Sequence, residues 1–209
     1  MIQNSELIQL SKRGRKIGAD GAKSRELLLN IAAKEFAQNG YYETKISTIV
    51  KAANVTQPTF YLYFKNKESI FKELVDNFKE RLATLTQNSK LQQNLDTLSA
   101  QERIKQNLLE LFQLFETNKH IARIGFIHSE DSYDIKDYMA KQIEQNLIEE
   151  AELGYFRASI DMRTVACSLL GAIERLTVTK LWTNEKTPDM LAQEVSDLFL
   201  CGLRKDLSN

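Results

Sequence analysis

The chain has 209 residues, 43% of them apolar and 27% charged, the composition of a globular protein with enough length for a sizeable core. Its Lys+Arg and Asp+Glu both number 28, yet residues 1–67 hold 11 basic against 5 acidic groups and the remainder 17 against 23, so a polyanionic partner is expected at the N-terminal end alone. No stretch approaches the ~20 apolar residues of a membrane span and the N-terminus lacks a signal-peptide run, so a cytoplasmic protein without a membrane partner is expected.

With only two Pro and eight Gly among many Leu, Ile, Glu, Lys and Gln, the pattern is that of an all-α protein. Residues 1–20 show no sustained period and carry Lys12, Arg13, Arg15 and Lys16 around Gly14. This reads either as a basic arm for phosphates or a minor groove, or as a tail with incidental charge. From Ala22 to Asn39 an apolar face of Leu27, Leu28, Ile31, Ala32, Phe36 and Ala37 predicts a helix that Gly40 ends. Lys23 and Arg25 near its start are candidates for phosphate contact, or solvated charges.

The stretch GYYETKISTIVKAANVTQPTFYLYFKNKE, from Gly40 to Glu68, organises the rest. Ile46, Ile49, Val50 and Ala53 repeat at helical spacing, and Asn54 tolerates the left-handed turn that stops such a helix. Thr56 can cap a second helix, and Pro58 falls in its first turn, where no N–H is needed. Phe60 and Phe64 point inward, leaving Gln57, Thr59, Leu62 and Tyr63 outward and Tyr61 at the margin. Two short helices around a tight turn form a helix-turn-helix, whose second helix fits the DNA major groove.

At Gly40-Tyr41, Thr44, Ile49, Ala53, Val55, Thr59, Tyr61, Tyr63-Phe64 and Lys67-Glu68 the chain resembles the TetR family of transcriptional repressors. Asn54 replaces the family's usual Gly, and Gln57-Pro58 stand where many members have a basic residue and Gly. The resemblance implies a dimer that reads operator DNA. Thr44, Lys45, Tyr63 and Lys67 would then hold phosphates, Ser47, Gln57, Pro58, Thr59, Tyr61 and Leu62 would face base edges, and Thr48 would belong to the same DNA-binding set.

A long helix is predicted from Lys67 to about Thr86 through Ile70, Phe71, Leu74, Val75, Phe78 and Leu82, the lever between the two parts. Residues 87–99 read as a loop. Helices follow over Ala100–Asn118, His120–Ile127, Ser132–Leu153, Met162–Thr183 and beyond Pro188, about nine in all, as the resemblance implies. Division falls at 1–20 (arm), 21–67 (DNA reading) and 68–209 (ligand and dimer).

The run LLGAIERLTVTKLWTN resembles, more loosely, TetR-type repressors that sense fatty acyl compounds. A small hydrophobic ligand is expected among Leu108, Phe112, Phe115, Ile124, Phe126, Ile127, Tyr138 and Leu170, residues that would equally serve as core. Arg123 and Glu174 lie in apolar surroundings, as a polar anchor for that ligand or, the favoured reading, as a structural pair. The last two helices, with Gly171, Ala172 and Gly202, are expected to form the homodimer interface that the resemblance implies. Cys167 and Cys201 lack CxxC spacing and sit in apolar patterns, so they read as small buried hydrophobes. His120 and His128, without nearby Cys, suggest no metal, and no cofactor is expected. Two readings compete with a ligand-released repressor: a DNA-binding regulator with no effector, and an enzyme, for which no converging catalytic set stands out.

Overall fold

The computed structural model describes residues 19–89, 97–129, 132–157 and 159–201. The basic residues of the arm, the acidic pair Glu130-Asp131, Gly202 and Leu203 lie outside them. Among the described residues there are nine α-helices and no strands: α1 (Ala19–Asn39), α2 (Ile46–Ala52), α3 (Gln57–Tyr61), α4 (Lys67–Asn88), α5 (Thr97–Thr117), α6 (Lys119–Arg123), α7 (Ser132–Glu152), α8 (Met162–Leu176) and α9 (Pro188–Cys201). None of these is long and apolar enough to cross a membrane.

α1–α3 form a small bundle on the first half of α4. Leu28, Ala32 and Phe36 of α1 bury against Ile49 and Val50 of α2, Phe60 of α3, and Ile70 and Leu74 of α4. Gly40 ends α1 at φ +81°, a conformation that a Cβ would strain, and its N–H donates to Phe36 O at 2.9 Å. Asn66 caps α4 by accepting from Ser69 N at 2.8 Å, while Ser69 reaches back to the Asn66 N–H. This reciprocal capping box fixes the start of α4 next to α3.

α4 continues into the second half, where α5 packs on α9 and α7 on α8. The region expected to be a loop over 87–99 is shorter at both ends, because α4 runs to Asn88 and α5 begins at Thr97. Two helices end in a single π-helical turn, Ile124–His128 after α6 and Thr177–Leu181 after α8. The widened turn brings Gly125 onto Phe78 of α4: a Cβ there would lie 2.4 Å from Phe78 Cδ1.

α4 is not the sole bridge between the halves, since α1 also packs on α6 and its π-turn. Burial, then the charges of Lys119, Lys34 and Arg123, lower the His120 pKa from its usual value at this junction. Trp182 secures the same corner: its Nε1 donates to Phe115 O at 3.2 Å, and Lys119 Nζ donates to the Trp182 carbonyl at 2.7 Å.

Both cysteines are exposed, correcting the expectation that they are buried. On α8 the inward face is Ala166, Leu170 and Ile173, so Cys167 falls on the outer stripe with Thr164, Ser168, Gly171 and Arg175. Tyr138 of α7, expected at the pocket, is likewise exposed, as is Leu198 of α9.

Candidate nucleic-acid interface and ligand cavity

The helix-turn-helix forms from the residues that its pattern singled out. Asn54 adopts φ +52° at the turn, and Val55 N donates to Val50 O at 3.0 Å across it. Thr56 caps α3, accepting from Thr59 N at 3.4 Å and sharing a 2.8 Å hydroxyl contact with Thr59 Oγ1. Phe60 is wholly buried and meets Phe64 with ring centroids 5.6 Å apart, which anchors α3 from below. Above it Tyr61 is 52% and Leu62 78% exposed. With Gln57, Pro58, Lys45, Ser47 and Thr48, all exposed, they make one outward surface from α3 and the start of α2.

Four residues expected at phosphates serve the protein's own fold instead, wholly or in part. Thr44 is only 1% exposed, and its hydroxyl donates to Gly40 O at 2.7 Å and Glu35 O at 3.2 Å. Lys67 Nζ donates to the carbonyls of Tyr41, Tyr42 and Thr44 at 2.7, 3.3 and 3.0 Å, and lies 4.4 Å from the centroid of the Tyr41 ring. The carbonyls of the turn between α1 and α2 have no helical partners, and this ammonium supplies three donors. Arg25 bonds Glu73 at 2.6 Å and covers the Phe64 ring at 5.1 Å, tying α1 to α4. Tyr63 is half-buried, its hydroxyl 3.6 Å from where a Cβ on Gly21 would lie.

The cavity in the second half has a volume of about 700 Å³ and lies between α4, α5, α7, α8 and α9. Its apolar wall includes Leu85, Ile104, Leu108, Leu111, Met139 and Leu169, with Phe156 and Ile160 from the loop after α7. Of the residues expected to line a pocket, Leu108 does so. Phe112, Phe115, Ile124, Phe126 and Leu170 are packed into the core, their rings and branches filling space instead of enclosing it. Phe115 and Phe126, for instance, meet at 5.3 Å. Ile127 packs on that core half-buried, and Tyr138 is turned outward.

Arg123 and Glu174 do not pair with one another. The Arg123 guanidinium lies 5.2 Å from the centroid of the Trp182 ring, and Glu174 accepts from Lys136 Nζ at 2.7 Å. Arg163 likewise joins Asp137 at 2.6 Å and Glu144 at 3.3 Å, with Lys141 also on Asp137. Hydrogen bonds from Lys141 and then Arg163 hold the Asp137 carboxyl below its ordinary pKa.

The polar lining was not anticipated: Thr86, Ser89, Asn107, Asn146 and Glu150. The signal was present, since Asn146 follows Ile143 by three positions on the apolar face of α7 and Asn107 follows Ile104 likewise on α5. A polar residue repeated at inward positions marks a lined space more directly than an aromatic does.

An outward-facing α3 on a buried Phe60, set over a helical half with an internal cavity, defines a helix-turn-helix DNA-binding protein. Residues 28–74 match the family described as bacterial regulatory proteins, tetR family. The HTH-type transcriptional regulator YdgC of Bacillus subtilis (strain 168) is 40% identical over 183 residues, spanning 88% of this chain and 94% of that protein. The fatty acid metabolism regulator protein of the same organism is 26% identical over 188 residues, 84% of this chain and 93% of its own. In fold the chain is similar to the transcriptional regulator FadR from Bacillus subtilis, solved in complex with stearoyl-CoA, at TM-score 0.64 and 22% identity over 86% of this chain and 99% of that one. The chain belongs to the TetR family of bacterial regulatory proteins, and it is a DNA-binding transcriptional regulator.

Proposed function

We propose that the protein is a homodimeric repressor that reads a two-fold symmetric operator through α3 and leaves it when a hydrophobic ligand enters the cavity. The observation that carries the DNA-reading part is the pairing of a wholly buried Phe60 with its exposed neighbours Tyr61 and Leu62. Apolar groups held outward on an anchored helix suit thymine methyls, and Gln57 beside them suits adenine. Lys45 then positions the head on phosphates, with Ser47 and Thr48 exposed beside it toward the groove, and residues 1–20 supply further basic charge.

Residues 21–67 do the reading and 68–209 carry ligand and dimer, joined both through α4 and through α1 on α6. The outer stripe of α8 (Thr164, Ser168, Gly171) and the exposed Met190 and Leu198 of α9 support dimerisation on these two helices. One recognition helix spans few bases, and a two-fold partner supplies the second half-site. A cavity of about 700 Å³ favours a ligand over an effector-free regulator, and the stearoyl-CoA complex of FadR supports an apolar one. The operator places the protein in the cytoplasm, as a regulator with no catalytic task.

Selection of bound sequences from random duplex DNA tests the reading. Gln57→Ala should cost ~1–3 kcal/mol and relax preference at one base pair per half-site, while Lys45→Ala should weaken all sequences alike. No enriched sequence, or full discrimination in the Gln57 variant, would remove α3 as the reader.

A further inference from the structure

We infer that the cavity is loaded through a mouth at the end of the bundle farthest from the DNA, by an amphiphile that enters apolar chain first. The operator-bound dimer then takes up its effector before it dissociates. This rests on the cavity being the effector site. The helices that line it meet at one end of the second half. α4 and α9 contribute only their last turns, with Leu85 and Thr86 on one and Phe199 and Leu200 on the other. α5 and α8 enter from their starts, at Ala100 and Met162, and α7 leaves at its end through Glu150 into the loop at 154–157. An α-helix rises ~1.5 Å per residue, so Leu85 stands about 27 Å along α4 from Lys67, where α4 meets the DNA-reading head. Duplex DNA lying on α3 and the start of α2 therefore leaves this end uncovered.

The end that faces the head is shut. Phe115 of α5 meets Phe126 of the first π-turn at 5.3 Å, and Phe78 of α4 meets them at 6.1 and 6.4 Å between ring centroids. All three rings are at most 2% exposed. Trp182 closes the corner by donating to Phe115 O, and α6 with its π-turn packs on α1 of the head. Among the described residues that end offers only packed side chains, so whatever enters comes from the other. There the lining reaches solvent, at Gly154, at Arg157 and at Ile160, which is 37% exposed.

Polarity grades along the same axis. The deepest lining residues, Leu111, Met139 and Ile173, are apolar and buried. Polar side chains come in only toward the mouth. Asn107 lies one turn out from Leu111 on α5 and Asn146 two turns out from Met139 on α7, with Ser89 at the end of α4 and Arg157 at the rim. A polar head pushed to the closed end would lose its water and find no partner, whereas an apolar chain there loses only water that it gains by shedding. The outer groups bring both donors and acceptors, so the lining sets the direction of entry and not the hydrogen-bonding type of the head.

Stopped-flow fluorescence with two dansyl probes tests this on the full chain, both free and saturated with a selected operator duplex. N-dodecyl dansylamide carries its bulk at the polar end and should bind both forms with association rate constants that agree within about twofold. 11-(Dansylamino)undecanoate carries the same bulk at the far end of its chain, where it would press on packed side chains, and should bind about tenfold more weakly. Loading of the operator complex slowed by about tenfold or more overturns the route, and equal affinity for the two probes overturns the direction of entry. Either result leaves the cavity as effector site. Leu169→Trp fills the cavity and should abolish binding of the first probe. A folded variant that still binds it, or unaltered protein that binds neither probe, overturns the cavity reading and this inference with it. If that variant fails to fold, the two comparisons on the unaltered protein decide on their own.

Discussion

The two halves of the molecule handle apolar surface in opposite ways. Around α3 the interior is filled: Phe36, Phe60 and Ile49 are wholly buried, and apolar groups that find no room, Tyr61 and Leu62, stand in solvent. Between α4, α5, α7, α8 and α9 the interior is left open, and polar groups such as Asn146 are buried at its edge. A head with a tightly filled core keeps one shape and waits for a partner that brings its own. A hollow half has slack, and a ligand that fills it gains the contacts that the empty walls lack. The proposed reading and sensing thus fall on different packing regimes of one chain, joined where α1 and α4 meet α6 and its π-turn.

Charge gives the largest test of that contrast. With 11 basic against 5 acidic groups in residues 1–67 and the reverse bias beyond, DNA should sense only the head. If the dimer covers ~6–10 phosphates, affinity should fall ~10³–10⁵-fold between about 50 and 200 mM salt, whereas affinity for an uncharged ligand should hardly change. A flat salt response of DNA binding, measured by fluorescence anisotropy, would detach the basic head from the function.

Truncation of the two interiors should differ next. Phe60→Ala removes a fully buried ring from a filled core and should cost ~3–5 kcal/mol, with loss of DNA binding. Leu169→Ala acts on a cavity wall that already faces open space, so less packing is forfeited; ~1–2 kcal/mol is expected from the area term. Denaturant melts of both variants decide it, and equal losses would mean that the cavity is filled in solution.

Two lysines within the head sharpen the picture. Lys67 donates to three carbonyls of the chain, and hydrogen bonds to a charged group are worth ~1.5–3 kcal/mol, so Lys67→Ala should lower thermal stability by that order even without DNA. Lys45 is exposed, and Lys45→Ala should leave stability within ~0.5 kcal/mol while weakening DNA binding. An unchanged melting curve for the Lys67 variant would return that residue to the phosphate set.

These lysines also show where sequence patterns stop being informative. Helix starts, the Asn54 turn, the Thr56 cap and the inward Phe60 and Phe64 were legible because each depends on neighbours within a few positions. The task of Lys67 was not, because its acceptors lie 23–26 positions away. The cavity was harder still. Apolar spacing finds the face of a helix that is covered but not whether the cover is side chain or void, so Phe112 and Phe115 read as lining while they pack as core. The π-turns add a residue to the helical period, which moves Gly125 and Thr177 out of any regular pattern.

The smallest effect is expected at Tyr138, which is 43% exposed on α7 although its spacing suggested an inward position. At 3.6 residues per turn successive side chains are ~100° apart, so Tyr138 lies about a quarter turn from Met139 and from Asn146. Met139 and Asn146 are both buried, which leaves Tyr138 on the flank. Tyr138→Ser should therefore change stability by no more than ~0.5 kcal/mol and leave ligand affinity as it was. The result carries weight beyond the one residue. Turning Tyr138 inward would rotate α7 by about that quarter turn, swing Asn146 off the end of α4 and take its Oδ1 out of the cavity. A stability loss above ~2 kcal/mol, or an altered ligand affinity, would indicate that rotated α7. An unchanged protein keeps Asn146 where its hydrogen bonds to Thr86 and Ser89 hold it.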